Sequence, residues 1–392
     1  MKTLYLYYSL FFLSILGGIF GVSLLTRIVN PEHYAFVAII LGFSTLVRYI
    51  ILDTFSLVFS KYCFSSLREL LKYKKIYLYL ALYGILIAPV IFYYFFDKNF
   101  FGSISLSAFL ILYLIFVTFE SIFLSLRERI ISMTRTNLFD WLRFILAYFS
   151  YIHIDSSYIS IIFGYILSLL IVFIIDLLIW KSKKIEKEDF SETKKLIDYK
   201  KFLYGGGLTW LILFYDRFFI QYFFSVEDLG GYFAIYQITF LPILLLFNSI
   251  WNYIISDFMK RKGFCINRLR KGIYLLIFLG LILSGFFLIL EKYFALIIGS
   301  EYRGYINLAS LLIFQGVLYS CANFILLIAS RNNELKYTQL KTILFVGMVI
   351  SSLFSLIFGE LSSFVVSVII FYIFFISYLL FSRNIYNKIG LM

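Results

Sequence analysis

The sequence contains few of the residues from which disulfides, metal sites and many catalytic centres are built. There are three prolines, three cysteines and two histidines among 392 residues, and only 15% of the residues are charged. Cys63 and Cys265 lie in basic segments and Cys321 lies in an apolar one, so no pair is placed where a disulfide would persist. His33 and His153 are far apart in the sequence, which favours an interfacial position over metal binding or base catalysis.

Long polar segments are also scarce, and this argues against an enzyme. The longest is 181–201, and the gap at 293–304 is the longest of those that alternate with the basic ones. Neither is large enough to be a catalytic domain. No glycine-rich loop is followed by Lys-Ser or Lys-Thr, as phosphate-binding loops of ATPases require. We therefore expect no catalytic residues, no metal and no cofactor.

Apolar residues, in contrast, dominate the chain. The sequence is 62% hydrophobic and 22% aromatic, far from the balance of a soluble domain. Most of its long apolar stretches approach the roughly 20 residues that a helix needs to cross a bilayer. They predict an all-α polytopic membrane protein with about twelve transmembrane helices. The predicted spans are 4–26, 34–59, 76–96, 104–126, 137–154, 158–180, 202–224, 231–256, 272–292, 305–330, 341–358 and 364–381.

The basic residues are concentrated in every second gap between the spans. If the N-terminus is cytoplasmic, the inner segments hold 28 lysines and arginines, whereas the outer gaps hold four. This bias predicts that both termini are cytoplasmic. The net charge of +13 then reflects topology and contact with membrane lipids, and we expect no nucleic-acid partner.

The polar segment 181–201 divides the spans into two equal sets. We predict an N-terminal six-helix lobe (1–180), a cytoplasmic linker (181–201) and a C-terminal six-helix lobe (202–392). Two lobes of six helices are what a parallel internal repeat would produce.

A few charged residues lie inside the predicted spans, although each costs about 2.5–3.5 kcal/mol to insert. Arg48 and Arg217 lie deepest, and Gln221 follows Arg217 one turn later. We expect the two arginines to face a central cavity, one from each lobe, and to bind an anionic group there. The alternative is that each arginine pairs with a carboxylate on another helix.

The remaining intramembrane charges have other predicted roles. Glu120 and Asp53 are the candidates for binding a coupling ion or proton. Asp140 and Arg143 are three residues apart on one helix face, which favours a pair with each other. Asp176 lies close to a helix end, where we expect solvation at the interface.

Amides in the later spans could bind a hydroxyl-rich cargo. Asn248 and Asn252 share one face of the eighth span, and Gln315 and Asn323 share one face of the tenth. Hydrogen bonds between helices are the alternative use of these side chains.

Two turns of the chain resemble a known family. The segment 25–35 (LTRIVNPEHYA) resembles the turn after the first helix of lipid-linked oligosaccharide flippases, the O-antigen flippases of the multidrug, oligosaccharidyl-lipid and polysaccharide exporter superfamily. Tyr215-Asp216-Arg217 with 227–236 (EDLGGYFAIY) resembles the matching turn of the second lobe. Asn30 and Ala35 stand where that family usually has glycine.

The resemblance implies a two-lobe transporter of the multidrug and toxic compound extrusion (MATE) type, with a cationic cavity. Its expected cargo is an undecaprenyl-diphosphate-linked oligosaccharide, flipped across a bacterial inner membrane for O-antigen, lipopolysaccharide or capsule assembly. A polysaccharide polymerase and a chain-length regulator are the further partners it suggests. The alternatives are a drug or cation exporter of the same superfamily and, from another class, a membrane-embedded polymerase or acyltransferase.

Overall fold

The computed structural model describes residues 2–62, 74–125, 128–182, 199–247, 266–332 and 334–381. Within these ranges the chain forms helices joined by short turns, and no β-strand. The helices are α1 (Lys2–Thr26), α2 (Pro31–Tyr62), α3 (Lys74–Leu82), α4 (Ala88–Phe95), α5 (Phe100–Ser125), α6 (Arg129–His153), α7 (Tyr158–Ser182), α8 (Tyr199–Phe223), α9 (Val226–Ile238), α10 (240–247), α11 (Ile266–Ile297), α12 (Leu308–Asn332), α13 (Glu334–Ser355) and α14 (Leu361–Phe381).

Two of the predicted spans are each formed by two consecutive helices. A π-helical turn, Tyr83–Ile87, joins α3 to α4. It ends shortly before Pro89, which has no backbone N–H to donate to the preceding turn. Thr239 interrupts α9 and α10 three residues before Pro242. Counted as continuous rods, the described helices match the twelve predicted spans.

Length and apolar composition alone qualify ten of these rods to cross a membrane. The two that do not qualify, α6 and α8, carry charged residues along their length. The protein is therefore an all-α polytopic membrane protein, as the sequence predicts.

The largest difference from the predicted boundaries is at α6. This helix begins at Arg129, eight residues before the predicted start at 137. Arg135 and Lys341, which the sequence assigns to inner gaps, consequently lie within α6 and α13 and are buried. These two cations, which were counted as loop residues, are therefore buried parts of helices.

The chain has two compact units, Met1–Trp210 (the first unit) and Leu211–Met392 (the second unit). In the first unit α6 packs against α1 and α7, while α5 packs against α2 and α7. Gly164 of α7 lies against the backbone of α6, where an added Cβ would be 2.4 Å from the nitrogen of Ala147. This glycine therefore allows the two helices to touch through their main chains.

In the second unit α12 is the central helix. It packs against α9, α11, α13 and α14, and 83% of its apolar span is buried, compared with 17% for α11. Most of the predicted linker, residues 183–198, lies outside the described residues. The predicted lobe boundaries at 180 and 202 remain a prediction.

Candidate functional site

Arg48 of α2 forms an ion pair with Glu120 of α5 in the first unit. The Nη2 atom of Arg48 donates to Oε1 of Glu120 over 2.8 Å. The arginine side chain is 34% exposed, whereas that of Glu120 is 8% exposed. The second carboxylate oxygen, Oε2, is buried without a hydrogen-bond partner among the described residues. The pair is thus held by one bond and open on the arginine side.

Asp140 and Arg143 of α6 form the ion pair that their spacing predicts. Their closest atoms, Arg143 Nη2 and Asp140 Oδ1, are 3.1 Å apart. Ser14 of α1 donates its hydroxyl to Asp140 Oδ2 over 2.7 Å. Asp140 and Tyr113 also interact electrostatically with Arg48, so the charged groups of the first unit are linked.

A third pair, Arg135 of α6 with Asp176 of α7, was missed by the sequence analysis. Nε and Nη2 of Arg135 donate to the two oxygens of Asp176 over 2.8 and 2.6 Å, and both side chains are 1% exposed. Nη2 also donates to the carbonyl of Phe116, whose ring lies 4.2 Å from the guanidinium carbon. Interface solvation was therefore the wrong prediction for Asp176, because the early start of α6 brings a cation to it. Opposite charges near adjoining ends of consecutive spans were the available signal.

Arg217 of α8, in the second unit, is buried among aromatic rings. Its guanidinium carbon lies 4.6 Å from the ring centre of Phe214, 4.7 Å from Phe233 and 5.5 Å from Tyr236. Among the side chains that the structure describes, no carboxylate forms an ion pair with it. Its Nε atom and Oε1 of Gln221, one turn later, are buried without hydrogen-bond partners in the same part of the chain. The rings face the cation with their electron-rich faces, and the Nε donor remains unused.

Asp216, next to Arg217, is directed to a different partner. Its Oδ2 accepts a hydrogen bond from the hydroxyl of Tyr232 in α9 over 2.8 Å, and its Oδ1 accepts one from the backbone N–H of Arg217 over 2.8 Å. Asp216 and Tyr232 lie in the two segments of the second motif, Tyr215-Asp216-Arg217 and 227–236, which resembles the turn of the second lobe. The motif thus includes a buried contact between α8 and α9.

The turn between α8 and α9 explains other residues of this motif. Ser225 caps α9 by accepting the N–H of Asp228, and its hydroxyl donates to the carboxylate of Asp228. The ring of Tyr305 occupies the place of a side chain at Gly231, where a Cβ would be 2.2 Å away. Burial, followed by the charge of Asp228, raises the pKa of Tyr305 to about 12. Its hydroxyl therefore stays protonated and donates to Asp228 over 3.2 Å.

A small cavity lies within the second unit, with room for about one water molecule. Asp216, Gln315 and four tyrosines are among the residues that line it: Tyr215, Tyr236, Tyr319 and Tyr372. Oε1 of Gln315 is buried and has no described partner. Asn323, two turns further along α12, is half-buried.

Asn248 and Asn252 lie outside the described residues, and for Asp53 the structure describes only its place in α2. In the described ranges, no three His, Cys, Asp or Glu side chains are grouped to hold a metal ion.

Several solved structures resemble this chain along nearly its whole length. Lipid II flippase MurJ in an inward closed conformation matches with a TM-score of 0.68 at 16% identity, covering 97% of this chain and 87% of that one. A MATE transporter in complex with MaL6 matches with a TM-score of 0.68 at 13% identity, covering 98% of each chain. A transporter of the multidrug, oligosaccharidyl-lipid and polysaccharide exporter superfamily from Pyrococcus furiosus matches with a TM-score of 0.62 at 12% identity, covering 98% and 93%.

These likenesses define the fold of the chain. It is the two-lobe, twelve-helix fold shared by MurJ and the MATE transporters of that superfamily. No protein-family model matches the sequence, and a search of curated proteins gives no significant match.

Proposed function

We propose that this protein is a flippase for undecaprenyl-diphosphate-linked oligosaccharide repeat units. It moves them by alternating access from the cytoplasmic to the periplasmic leaflet of a bacterial inner membrane, with both of its termini in the cytoplasm. The observation that carries the proposal is Arg217, a buried cation that is surrounded by rings and forms no ion pair with a described carboxylate. The resemblance of the fold to a lipid II flippase supports a lipid-linked cargo.

Arg217 has the properties of an anion-binding residue. A charge held in the bilayer without an ion pair is costly, and such residues in membrane proteins usually serve function. The diphosphate of the cargo supplies two adjacent anionic groups, and a guanidinium binds such groups through parallel charge-assisted hydrogen bonds. Gln221, with an unused buried oxygen one turn away, accepts hydrogen bonds from cargo hydroxyls.

Arg48 is the corresponding residue of the first unit. Its side chain is paired with Glu120 but remains 34% exposed, so a phosphate group can reach the guanidinium. The amides of Asn248, Asn252 and Asn323 bind the sugars in this proposal. Glu120 and Asp53 are the proposed ion-coupling residues.

A drug or cation exporter is the second candidate, and it is favoured by the buried carboxylates Asp216 and Glu120. Both carboxylates, however, accept hydrogen bonds within their own units, while Arg217 lacks an ion-pair partner among the described residues. In the transporter from Pyrococcus furiosus, a binding pocket of reverse polarity suggests a different function. Pocket charge thus varies within this fold, and in this chain Arg217, which forms no described ion pair, favours an anionic cargo.

The proposal is tested in cells from which the protein has been removed. They should accumulate completed, unpolymerised lipid-linked repeat units in the cytoplasmic leaflet, and no polymerase or chain-length regulator would receive them. If single repeat units reach the surface and only polymerisation fails, the protein is a polymerase. Increased sensitivity to cationic drugs with normal surface glycan would identify an exporter.

A further inference from the structure

The structure describes two interhelical arginine–carboxylate pairs in the first unit, and they differ in how completely they are shielded from solvent. Arg135 and Asp176 are joined by two bonds, a carbonyl accepts a third, and neither side chain is more than 1% exposed. Arg48 and Glu120 are joined by one bond, and the arginine is 34% exposed. A pair that serves only to hold helices together gains most from the first arrangement. In the second arrangement, Glu120 balances the charge of Arg48, but the arginine side chain remains accessible.

The carboxylate of Glu120 is incompletely satisfied. Its Oε2 is buried without a partner among the described residues. The neighbouring hydroxyls of Thr118 and Ser121 donate to carbonyls of their own helix, those of Leu114 and Val117, and thus do not serve Glu120. Among the described residues, Arg48 is the one that donates a hydrogen bond to this carboxylate.

We propose that Glu120 is an affinity-lowering counter-ion of Arg48, which keeps binding of the cargo's diphosphate weak enough for release. This inference rests on the proposed function and assigns a specific role to one residue of the site. The carboxylate and the phosphate groups draw on the same guanidinium, and their like charges repel each other. A transporter gains from this competition, because cargo that binds too tightly in one leaflet is not delivered to the other.

Among the groups that interact with Arg48, Glu120 is the carboxylate that forms an ion pair with it. Asp140 also acts on Arg48 electrostatically, but it is bonded to Arg143 and to Ser14. Tyr113, the other group that acts on Arg48, carries a phenol rather than a carboxylate and forms a side-chain hydrogen bond with it. The role differs from ion coupling, since it requires no ion to bind to Glu120.

The test uses Glu120→Gln, which keeps an oxygen acceptor for Arg48 but removes the negative charge. Binding of inorganic pyrophosphate to the purified full-length protein should become roughly tenfold tighter, the effect of about 1.4 kcal/mol. Transport at saturating cargo should fall, because release is slower. Glu120→Asp, which restores the charge, should return both quantities toward those of the unchanged protein.

Asp176→Asn is the matched control, since it removes one buried carboxylate from the same unit. It should lower the thermal unfolding temperature and leave pyrophosphate affinity unchanged. Unchanged or weaker pyrophosphate binding by Glu120→Gln would overturn the inference, and loss of ion dependence at unchanged affinity would assign Glu120 to coupling instead. If Arg48→Ala binds pyrophosphate as well as the unchanged protein, or if neither the unchanged protein nor Glu120→Gln binds it, the proposed role of Arg48 fails as well.

Discussion

The hydroxyl of Tyr232 donates to Oδ2 of Asp216 over 2.8 Å, and this bond joins the two parts of the motif that begins the second unit. Asp216 also accepts the backbone N–H of Arg217. The carboxylate next to Arg217 in the sequence is therefore used in packing α9 against α8. The arginine side chain contacts three aromatic rings instead of pairing with this carboxylate.

Removal of this hydroxyl should destabilise the second unit. Tyr232→Phe leaves a buried carboxylate oxygen without its donor, which costs about 1–3 kcal/mol. The thermal unfolding temperature of the purified protein should fall accordingly. Tyr305→Phe is the matched control, because it loses a hydroxyl donated to a half-buried carboxylate over 3.2 Å. Equal effects of the two substitutions would contradict the importance of the buried bond.

Replacement of Arg217 should affect transport more than folding. In Arg217→Ala, surface glycan should fall by about tenfold or more through loss of charge-assisted bonds to the diphosphate. The amount of inserted protein should change little. Arg217→Lys should restore only part of the transport, because an ammonium lacks the planar fork and stacks less well on rings.

Second substitutions show whether Arg217 instead neutralises a carboxylate. Asp53→Asn or Glu120→Gln should not rescue Arg217→Ala, since Glu120 is paired with Arg48. Rescue by either, together with a prior loss of inserted protein, would refute the proposed role in binding the cargo.

Arg135 should have the opposite profile. Arg135→Met leaves Asp176 as an unpaired buried charge, which costs about 3–5 kcal/mol, so the amount of folded protein should drop sharply. The double substitution Arg135→Met with Asp176→Leu should recover most of it. Thermal unfolding of the two variants measures this difference, and failure of the second change to rescue the first would show that the pair is not what holds α6 to α7.

The topology is tested by thiol labelling in intact cells. The cation bias predicts that a membrane-impermeant reagent reaches cysteines introduced at Asn99, Ser156 and Ser363, which lie at helix ends. Ser156 is the mildest of these sites, because its hydroxyl donates to the carbonyl of Tyr151 over a long 3.5 Å, whereas Asn99 and Ser363 form shorter hydrogen bonds at the starts of α5 and α14. Native Cys63 and Cys265 should stay unlabelled. Labelling of Cys265 from outside would overturn the predicted orientation.

The helices could be predicted from the sequence because crossing a bilayer requires long apolar runs, which are visible without knowledge of packing. The pair of Asp140 and Arg143 was predictable for a similar reason, since a spacing of three residues fixes the contact within one helix. The partner of Arg48 was left open. Its choice among several carboxylates depends on how α2 packs against α5, which no local pattern encodes.

The burial of Arg135 within a helix was not predicted, for a different physical reason. Its surroundings in the sequence are polar, so hydropathy ends the span after it, yet a bidentate partner makes its burial tolerable. Pairing between helices can thus extend a membrane helix beyond its apolar run. The same effect explains why α6 does not qualify as a span by composition although it packs between α1 and α7.

The contact of Gly164 with the backbone of Ala147 and the Arg135–Asp176 pair are two fixed points between α6 and α7. In each helix they are twelve residues apart, or about 18 Å. Two attachments so far apart prevent both sliding and splaying, so α6 and α7 behave as one stiff body. Any bending of the first unit during a transport cycle must then occur in other helices, and the π-helical turn before Pro89 offers a break in the regular hydrogen-bond ladder where it can happen.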